Sequence, residues 1–154
     1  MSEARRAIAA LRARPLEELG LARAVRDAAE STAAQAGLAL ELHVPACLDG
    51  LSTETEHAVY RIAVEAIANV ARHAQAARLT VSFEESAANV SLLVADDGRG
   101  FDLATASDDQ RFGLYGMQER ARLIGGELVV ETIAGQGTAV RLMLRRKNDT
   151  RPGM

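Results

Sequence analysis

The pattern of apolar and polar residues predicts two helices in the first half of the chain. An alanine-rich segment at about 21–35 is followed by Gly37, which is placed to end it. A longer helix is predicted at about 54–74, and Thr53 with Glu56 predicts a capping box at its start. The apolar residues of the longer helix fall on one side at helical periodicity. They are Val59, Ala63, Ala66, Ile67 and Val70.

Apolar residues that alternate along the chain, or form a short run, predict five strands. These strands lie at about 38–44, 79–83, 90–95, 127–132 and 138–145. The third is a dense apolar run, which is typical of a strand at the centre of a sheet. A further helix is predicted from about Met117 to Ile124, ending at Gly125-Gly126. This order predicts an α+β fold: a two-layer sandwich in which a mixed sheet of about five strands carries helices on one face.

The 154 residues fit one domain of ~150 residues with at most a helical extension. Residues 3–13 predict the end of a helix, which Pro15 interrupts. The last nine residues are polar and favour a flexible tail. We therefore expect a helical remnant and linker at 1–20, the folded domain at 21–145 and the tail at 146–154.

Composition excludes several classes of function. A net charge of -3 with 3% aromatic residues argues against a nucleic-acid-binding surface, which needs clustered cations or stacking rings. Cys47 is the single cysteine and the three histidines are not clustered, so we expect neither a disulfide framework nor a structural zinc site. Lys147 is the single lysine and precedes Asn148, which excludes a Walker A loop with its Gly-Lys-Ser/Thr ending.

The predicted helix at 54–74 carries the first candidate group of polar residues. Its members are Glu65, Asn69, Arg72 and His73. Their spacing puts all four on one stripe beside the apolar face. Asparagine is unfavourable in mid-helix, whereas its carbonyl oxygen is a suitable ligand for Mg²⁺. These residues predict a polar rim that binds a ligand; the alternative is an ordinary solvated helix surface.

A second group, Asp96-Asp97-Gly98-Arg99-Gly100-Phe101, directly follows the predicted central strand. The carboxylate of Asp96 can accept a hydrogen bond from the amino group of a ligand. Gly98 and Gly100 would let the backbone pass close to a flat ring. The alternative is a turn that ends the strand, since aspartate and glycine are turn residues.

Two further segments contain paired glycines. Gly113-Leu114-Tyr115-Gly116 is expected to open the helix at 117–124, where free N–H groups bind phosphate. The polar stretch from Leu103 to Arg111 is expected to be a mobile lid. Gly135-Gln136-Gly137-Thr138 predicts a tight turn, with the Thr138 hydroxyl available to a ligand. The alternatives are a flexible loop for the first segment and a plain turn for the last.

In this order and spacing, the four groups resemble the nucleotide-binding domain of the GHKL superfamily, which includes gyrase B, mismatch-repair ATPases, heat-shock chaperones and histidine kinases. Glu65–His73 resembles the N box, Asp96–Phe101 the G1 box and Gly113–Gly116 the G2 box. The segments Tyr60–Ala74 and Phe112–Gly126 are similar to bacterial two-component sensor histidine kinases of the nitrate-sensor (NarL-partner) subfamily. The resemblance covers about residues 5–145.

The resemblance implies that the chain binds ATP with Mg²⁺ and transfers the γ-phosphoryl group to a histidine. It implies that Asn69 ligates the metal, that Glu65 and Asn69 are catalytic and that Asp96 accepts the adenine amino hydrogen. The ATP-binding residues that it implies are Asn69, Arg72, His73, Asp96, Gly98, Gly100, Gly113, Leu114, Gly116 and Thr138.

The acceptor histidine expected of such a kinase is missing. In these kinases that histidine is followed by an acidic residue. The histidines here precede other residues, in the pairs His43-Val44, His57-Ala58 and His73-Ala74. The resemblance therefore implies a catalytic-domain fragment. Its implied partners are the dimerisation and phospho-acceptor domain of its own kinase, homodimeric at full length, and a response regulator. Whether the fragment itself is a monomer is left open.

Two alternatives to a histidine kinase stay open. A GHKL serine kinase of the anti-sigma type would form acid-stable phosphoserine, whereas phosphohistidine is acid-labile. A non-catalytic nucleotide-binding module would bind ATP without transferring phosphate. The domain is expected in the cytoplasm, and membrane attachment of the full-length protein is left open.

Overall fold

The computed structural model describes residues 16–102, 104 and 106–146. The predicted helix at 3–13 and nearly all of the predicted tail lie outside these residues, and the proposed division at 20 and 145 stays a prediction. In chain order the elements are α1 (Leu21–Ala36), β1 (Ala39–His43), α2 (Thr53–Asn69), a π-helical segment (Val70–Ala74), β2 (Arg78–Glu85), β3 (Asn89–Asp96), α3 (Asp108–Leu123), β4 (Glu127–Ile133) and β5 (Gly137–Arg145).

Local sequence explains the end of α1 and the start of α2. Gly37 ends α1 with a φ of 71°, in the left-handed region that glycine adopts without strain. Ser52 has an extended backbone, and its Oγ accepts the N–H of Thr55 at 3.1 Å. This cap starts α2 at Thr53. The predicted capping box of Thr53 with Glu56 is therefore wrong by one residue.

The five strands form one mixed sheet in the order β1-β2-β3-β5-β4. β1 and β2 are parallel, and the other neighbouring strands are antiparallel. The apolar run 90–95 lies in the central strand, as predicted. Alternate residues of β2, β3 and β5 are buried in the core, as are the apolar residues predicted for α2. The strand residues are Leu79, Val81, Phe83, Val90, Leu92, Val94, Val140, Leu142 and Leu144. The α+β fold with a five-stranded mixed sheet is confirmed.

α3 begins at Asp108, about nine residues before the predicted start at Met117. The cause is a capping box: Ser107 Oγ accepts the N–H of Gln110, and the Gln110 side chain accepts the N–H of Ser107. The buried residues of α3 are Met117 and Ala121, both in its second half. The first half of α3 therefore contributes no fully buried side chain to the core.

The connection after α3 is built as predicted at Gly125-Gly126. Gly125 has a φ of 71°, and the N–H of Gly126 reaches back to the carbonyl of Ala121 at 2.8 Å. None of the helices in the described part of the chain has the length and apolar character needed to cross a membrane.

Candidate functional site

A cavity lies between the C-terminal end of α2, the first half of α3 and the buried face of β3 and β5. It encloses about 40 Å³, and its walls are mainly apolar, with a few polar groups among the lining residues. The residues that line it are Ala66, Asn69, Val70, His73, Val94, Asp96, Gly100, Phe101, Gln110, Leu114, Thr138 and Val140. All four segments singled out in the sequence therefore contribute to one cavity.

Asp96, the last residue of β3, supplies a carboxylate to the cavity. Its Oδ1 accepts the N–H of Gly98 at 2.7 Å, and the carboxylate also accepts the N–H of Thr138. Burial raises the pKa of Asp96 above its usual value, although these two hydrogen bonds oppose the shift. A half-buried carboxylate with spare lone pairs is suited to accept a hydrogen bond from a bound ligand.

Two glycines let the β4–β5 turn pack directly against the loop that follows Asp96. Gly137 has a φ of 107°, and a Cβ atom there would overlap the carbonyl oxygen of Asp96. Gly100 has a φ of 62°, and a Cβ atom there would overlap the carbonyl oxygen of Ile133. Glycine is required at both positions by conformation and by space. This end of the cavity is therefore built largely from backbone.

Asp97 is adjacent to Asp96 but has a different environment. Its Oδ1 accepts the N–H groups of Ala77 and Arg78, each at 2.9 Å. The hydrogen bond from Arg78 is the main reason that the pKa of Asp97 lies below its usual value. Asp97 thus anchors the loop to the start of β2, whereas Asp96 faces the cavity.

The predicted polar stripe of α2 and the π-helical segment contributes Asn69 and His73 to another part of the cavity wall, which we call the Asn69 end. Arg72 Nη2 donates to Asn69 Oδ1 at 2.8 Å and lies 3.4 Å from Glu65 Oε1. The three side chains therefore meet, as their spacing predicts. The Asn69 oxygen already binds a cationic side chain and lies near a carboxylate. Such an oxygen is a type of ligand that Mg²⁺ prefers.

A metal at this position would need further ligands from outside the protein. Among the described residues, no group of three or more His, Cys, Asp or Glu side chains could hold a metal ion. Bound phosphate and water would therefore complete the coordination. Arg72 would have to leave Asn69, because two positive charges at one oxygen repel each other.

The predicted helix at 54–74 changes to π-helical geometry at Val70. Single π-helical turns occur frequently at functional sites. The segment ends near Gln75, whose φ is 49°, and the carbonyl of His73 accepts the Nε of Arg99 at 2.8 Å. The His73 side chain lines the cavity. The loop after β3 is therefore also tied to the end of the polar stripe.

The placement of Gly113 and Gly116 corrects the prediction for this segment. Both glycines lie inside α3 and do not open a helix, so their N–H groups are not at a helix N-terminus. Residues 108–111 of the predicted lid are helical, and Leu103 lies outside the described residues. A Cβ atom at Gly113 would lie 2.9 Å from Glu65 Oε1. In this arrangement α3 covers the polar stripe.

The structure brings together some of the predicted catalytic and ATP-binding residues and leaves others outside the cavity wall. Asn69, His73, Asp96, Gly100, Leu114 and Thr138 line the cavity, whereas Glu65, Arg72, Gly98, Gly113 and Gly116 are not in its wall. Glu65 and Arg72 still contact Asn69 or each other, and Gly98 binds Asp96.

Sequence reasoning missed several residues of the wall. Phe101 and Gln110 lie within the segments singled out in the sequence but are not among the predicted site residues. Val94 and Val140 face each other across β3 and β5 and form part of the apolar wall. Their alternation with exposed residues predicts burial, but it does not predict that a cavity adjoins them.

A model of the family described as "Histidine kinase-, DNA gyrase B-, and HSP90-like ATPase" matches residues 54–148, more than half of the chain. The chain belongs to this ATPase family. The match includes every segment that contributes to the cavity. The cavity therefore lies within the region that defines the family.

Curated relatives of this chain include histidine kinases. The signal transduction histidine-protein kinase/phosphatase DegS of Brevibacillus brevis is 30% identical over 140 residues, which are 91% of this chain and 36% of DegS. The sensor histidine kinase MctS of Rhizobium johnstonii is 32% identical over 150 residues, covering 96% of this chain and 32% of MctS. The chain thus spans about a third of the length of these curated relatives.

Solved structures share the fold of this chain. The histidine kinase domain of the blue-light activated kinase from Erythrobacter litoralis EL346 matches with a TM-score of 0.63 at 20% identity, covering 82% of this chain and 61% of that one. Histidine kinase AdeS of Acinetobacter baumannii matches with a TM-score of 0.61 at 20% identity, covering 84% and 64%. The resemblance to GHKL histidine kinases is confirmed, and the nitrate-sensor subfamily stays a prediction.

Proposed function

We propose that this chain is the catalytic domain of a sensor histidine kinase, which binds Mg-ATP and transfers the γ-phosphoryl group to a histidine on another segment. The observation that carries the proposal is one cavity whose wall contains two complementary polar groups. One is the half-buried carboxylate of Asp96, in what we call the Asp96 end, and the other is the oxygen of Asn69, which binds a cationic side chain. This pairing suits a ligand with an amino-bearing base and a phosphate-bound metal.

At the first end, Asp96 is proposed to accept the amino hydrogen of adenine. Guanine would present an oxygen at this position, with no proton to share with the carboxylate. Sites that depend on such a hydrogen bond can reject the wrong analogue by ~10⁴-fold. We therefore expect strong preference for ATP over GTP.

At the second end, Asn69 is proposed to ligate the metal through Oδ1, and Arg72 to move from Asn69 to the phosphates. Mg²⁺ bound with the nucleotide would neutralise negative charge on the phosphates during transfer. The incoming histidine nitrogen forms a bond to the γ-phosphorus while the bond from that phosphorus to the β,γ-bridging oxygen breaks, and ADP leaves. Glu65 is proposed to accept a hydrogen bond from the other ring nitrogen of that histidine.

Nucleotide entry is proposed to require movement of the first half of α3. Ligand pockets commonly have volumes of roughly 300–1,000 Å³, whereas this cavity encloses about 40 Å³. That half of α3 has no buried residue, and Phe112 and Tyr115 on it are 75% and 64% exposed. Gly113 in this half and Gly116 directly after it also lower the helix propensity of α3, by about 1 kcal/mol each relative to alanine. The predicted lid is thus proposed to include this half-helix.

The phosphate acceptor and the downstream partner are proposed from the relatives. Homology to two-component histidine kinases implies a response regulator as partner. We propose that the acceptor histidine lies in the dimerisation domain of the same kinase. Because ATP is the substrate, the proposed location of the domain is the cytoplasm.

The proposal is tested by calorimetric titration of the chain with ATP and GTP in the presence of Mg²⁺. A second assay supplies radiolabelled ATP and a helical hairpin that carries an acceptor histidine. We expect ATP binding, little GTP binding and an acid-labile phosphate on the hairpin. Equal affinity for both nucleotides contradicts the base assignment, and acid-stable phosphate on serine favours the serine-kinase alternative.

A further inference from the structure

The side chain of Thr132 connects two parts of the cavity wall. Thr132 lies near the end of β4, and its Oγ1 accepts the N–H of Phe101 at 2.9 Å. The same hydroxyl donates to the carbonyl oxygen of Phe101 at 3.1 Å, and it accepts the hydroxyl of Thr138 at 3.1 Å. Phe101 and Thr138 line the cavity, whereas Thr132 is not in its wall.

These three hydrogen bonds belong to the same packing contact that positions Asp96. Thr138 also donates its N–H to the Asp96 carboxylate, and Gly137 packs on the Asp96 carbonyl. The N–H of Gly135 donates to the carbonyl of Arg99 at 2.5 Å. Apart from the Asp96 carboxylate, the other contacts in this set are made by backbone atoms or need glycine. Thr132 contributes a side chain that can be changed without adding a clash.

We propose that Thr132 is a positioning residue for recognition of the base, acting through Phe101, Thr138 and the loop that carries Asp96. This inference rests on the proposed function of the cavity as an adenine site. The hydroxyl holds the chain at Phe101 against β4, at the far end of the loop from Asp96. When that hydroxyl is lost, Phe101 keeps an unpaired N–H and carbonyl, and the loop moves to satisfy them.

The substitution Thr132→Val tests this role because valine has nearly the same shape and is also favourable in a strand. Leaving a half-buried backbone donor without its partner is expected to lower nucleotide affinity about tenfold. The loss is expected to be equal for ATP and ADP, and equal with and without Mg²⁺, because the base end is affected. Thr132→Ser retains the hydroxyl and is expected to restore affinity to within about twofold of wild type.

A matched control is Thr80→Val. Thr80 lies on β2 of the same sheet, and its hydroxyl contacts Glu41 at 3.3 Å, away from the cavity. This variant makes the same chemical change in a strand and is expected to bind ATP as wild type does. Melting temperatures of all variants report whether the fold is retained.

A double-mutant cycle separates positioning from general stability. If Thr132 acts through the Asp96 loop, the loss caused by Thr132→Val is expected to shrink to about twofold in an Asp96→Asn background. A full tenfold loss in that background would overturn the inference. Wild-type affinity in Thr132→Val, or a tenfold loss in Thr132→Ser, would also overturn it. Failure of the wild-type chain to bind ATP would instead refute the proposed function.

Discussion

The two ends of the cavity are constructed differently. At the Asp96 end, a strand end, a loop and a turn pack with backbone atoms in contact, and Gly100 and Gly137 allow the close approach. At the Asn69 end, long side chains meet over α2: Arg72 is 55% exposed and Glu65 is 33% exposed. The proposed base site is therefore fixed, whereas the proposed phosphate site is adjustable.

The difference has a physical consequence for how each end would respond to a nucleotide. Backbone contacts at the Asp96 end are already made, so binding there costs little ordering of the protein. At the Asn69 end, Arg72 occupies the proposed metal ligand and α3 covers the stripe. Rearrangement on binding is therefore expected at the phosphate end alone.

The largest expected effect is on base selectivity. Asp96→Asn replaces a pure hydrogen-bond acceptor with a group that can also donate, so it should remove most of a preference for ATP over GTP of ~10⁴-fold. Calorimetry with both Mg-nucleotides measures the ratio in wild type and variant. A ratio that stays high in Asp96→Asn would place base recognition elsewhere.

The packing of the turn against the Asp96 loop is tested by a pair of glycine substitutions. Gly137→Ala should destabilise the fold by at least about 3 kcal/mol, because it combines backbone strain with a backbone overlap. Gly135 has a φ of 81° but no atom within 4 Å of its would-be Cβ. Gly135→Ala should therefore cost about 1–2 kcal/mol, from conformation alone. Equal losses in urea denaturation would refute close packing at Gly137.

Removal of the proposed metal ligand should affect the other end. Asn69→Ala is expected to lower Mg-dependent phosphotransfer by about 100-fold with the fold retained. Affinity for ATP without metal should change little, because the base end is intact. Phosphotransfer at the wild-type rate, measured with the supplied hairpin, would exclude Asn69 as the ligand. The Asp96→Asn variant is the matched control, since it should weaken binding with or without Mg²⁺.

Movement of α3 is tested at Gly116, where a Cβ atom would meet only the flexible side chain of Arg120, at 3.3 Å. Gly116→Ala should stabilise the helical form by about 1 kcal/mol. If α3 must open for ATP to enter, the same change should weaken ATP binding by up to about fivefold. A rise in melting temperature with unchanged affinity would show that this half-helix does not open.

The smallest effect concerns pH and stability without nucleotide. Because burial raises the pKa of Asp96 in the folded chain, its ionised form lowers stability at neutral pH. Asp96→Asn should thus melt at or above the wild-type temperature at neutral pH. The difference should shrink on acidification, as the wild-type carboxyl takes up its proton. A difference that instead widens at acidic pH would contradict the pKa shift.

Most of the fold was predictable from the sequence because its strands alternate and α2 has a clear apolar face. The start of α3 was not, because residues 108–116 have little periodicity and include two glycines. The Ser107–Gln110 capping box was present in the sequence as a start signal. The prediction of α3 relied on apolar periodicity, which does not detect a capping box.

The site was predictable where chemistry depends on residue type at short spacing, as for Glu65, Asn69 and Arg72 on one helix face. The contact of Thr132 with Phe101 joins residues 31 positions apart. No local pattern specifies such a contact, since it arises only when β4 is placed beside the loop. The role of Asp97 could not be separated from that of Asp96 for the same reason.

A crystal structure of the chain with Mg²⁺ and a non-hydrolysable ATP analogue most directly tests whether one end of the cavity reads the base and the other holds the metal. We predict the exocyclic amino group within hydrogen-bond distance of the Asp96 carboxylate, the metal on Asn69 Oδ1 and Arg72 moved to the phosphates. A base bound away from Asp96, or a metal beyond the reach of Asn69, would contradict the account.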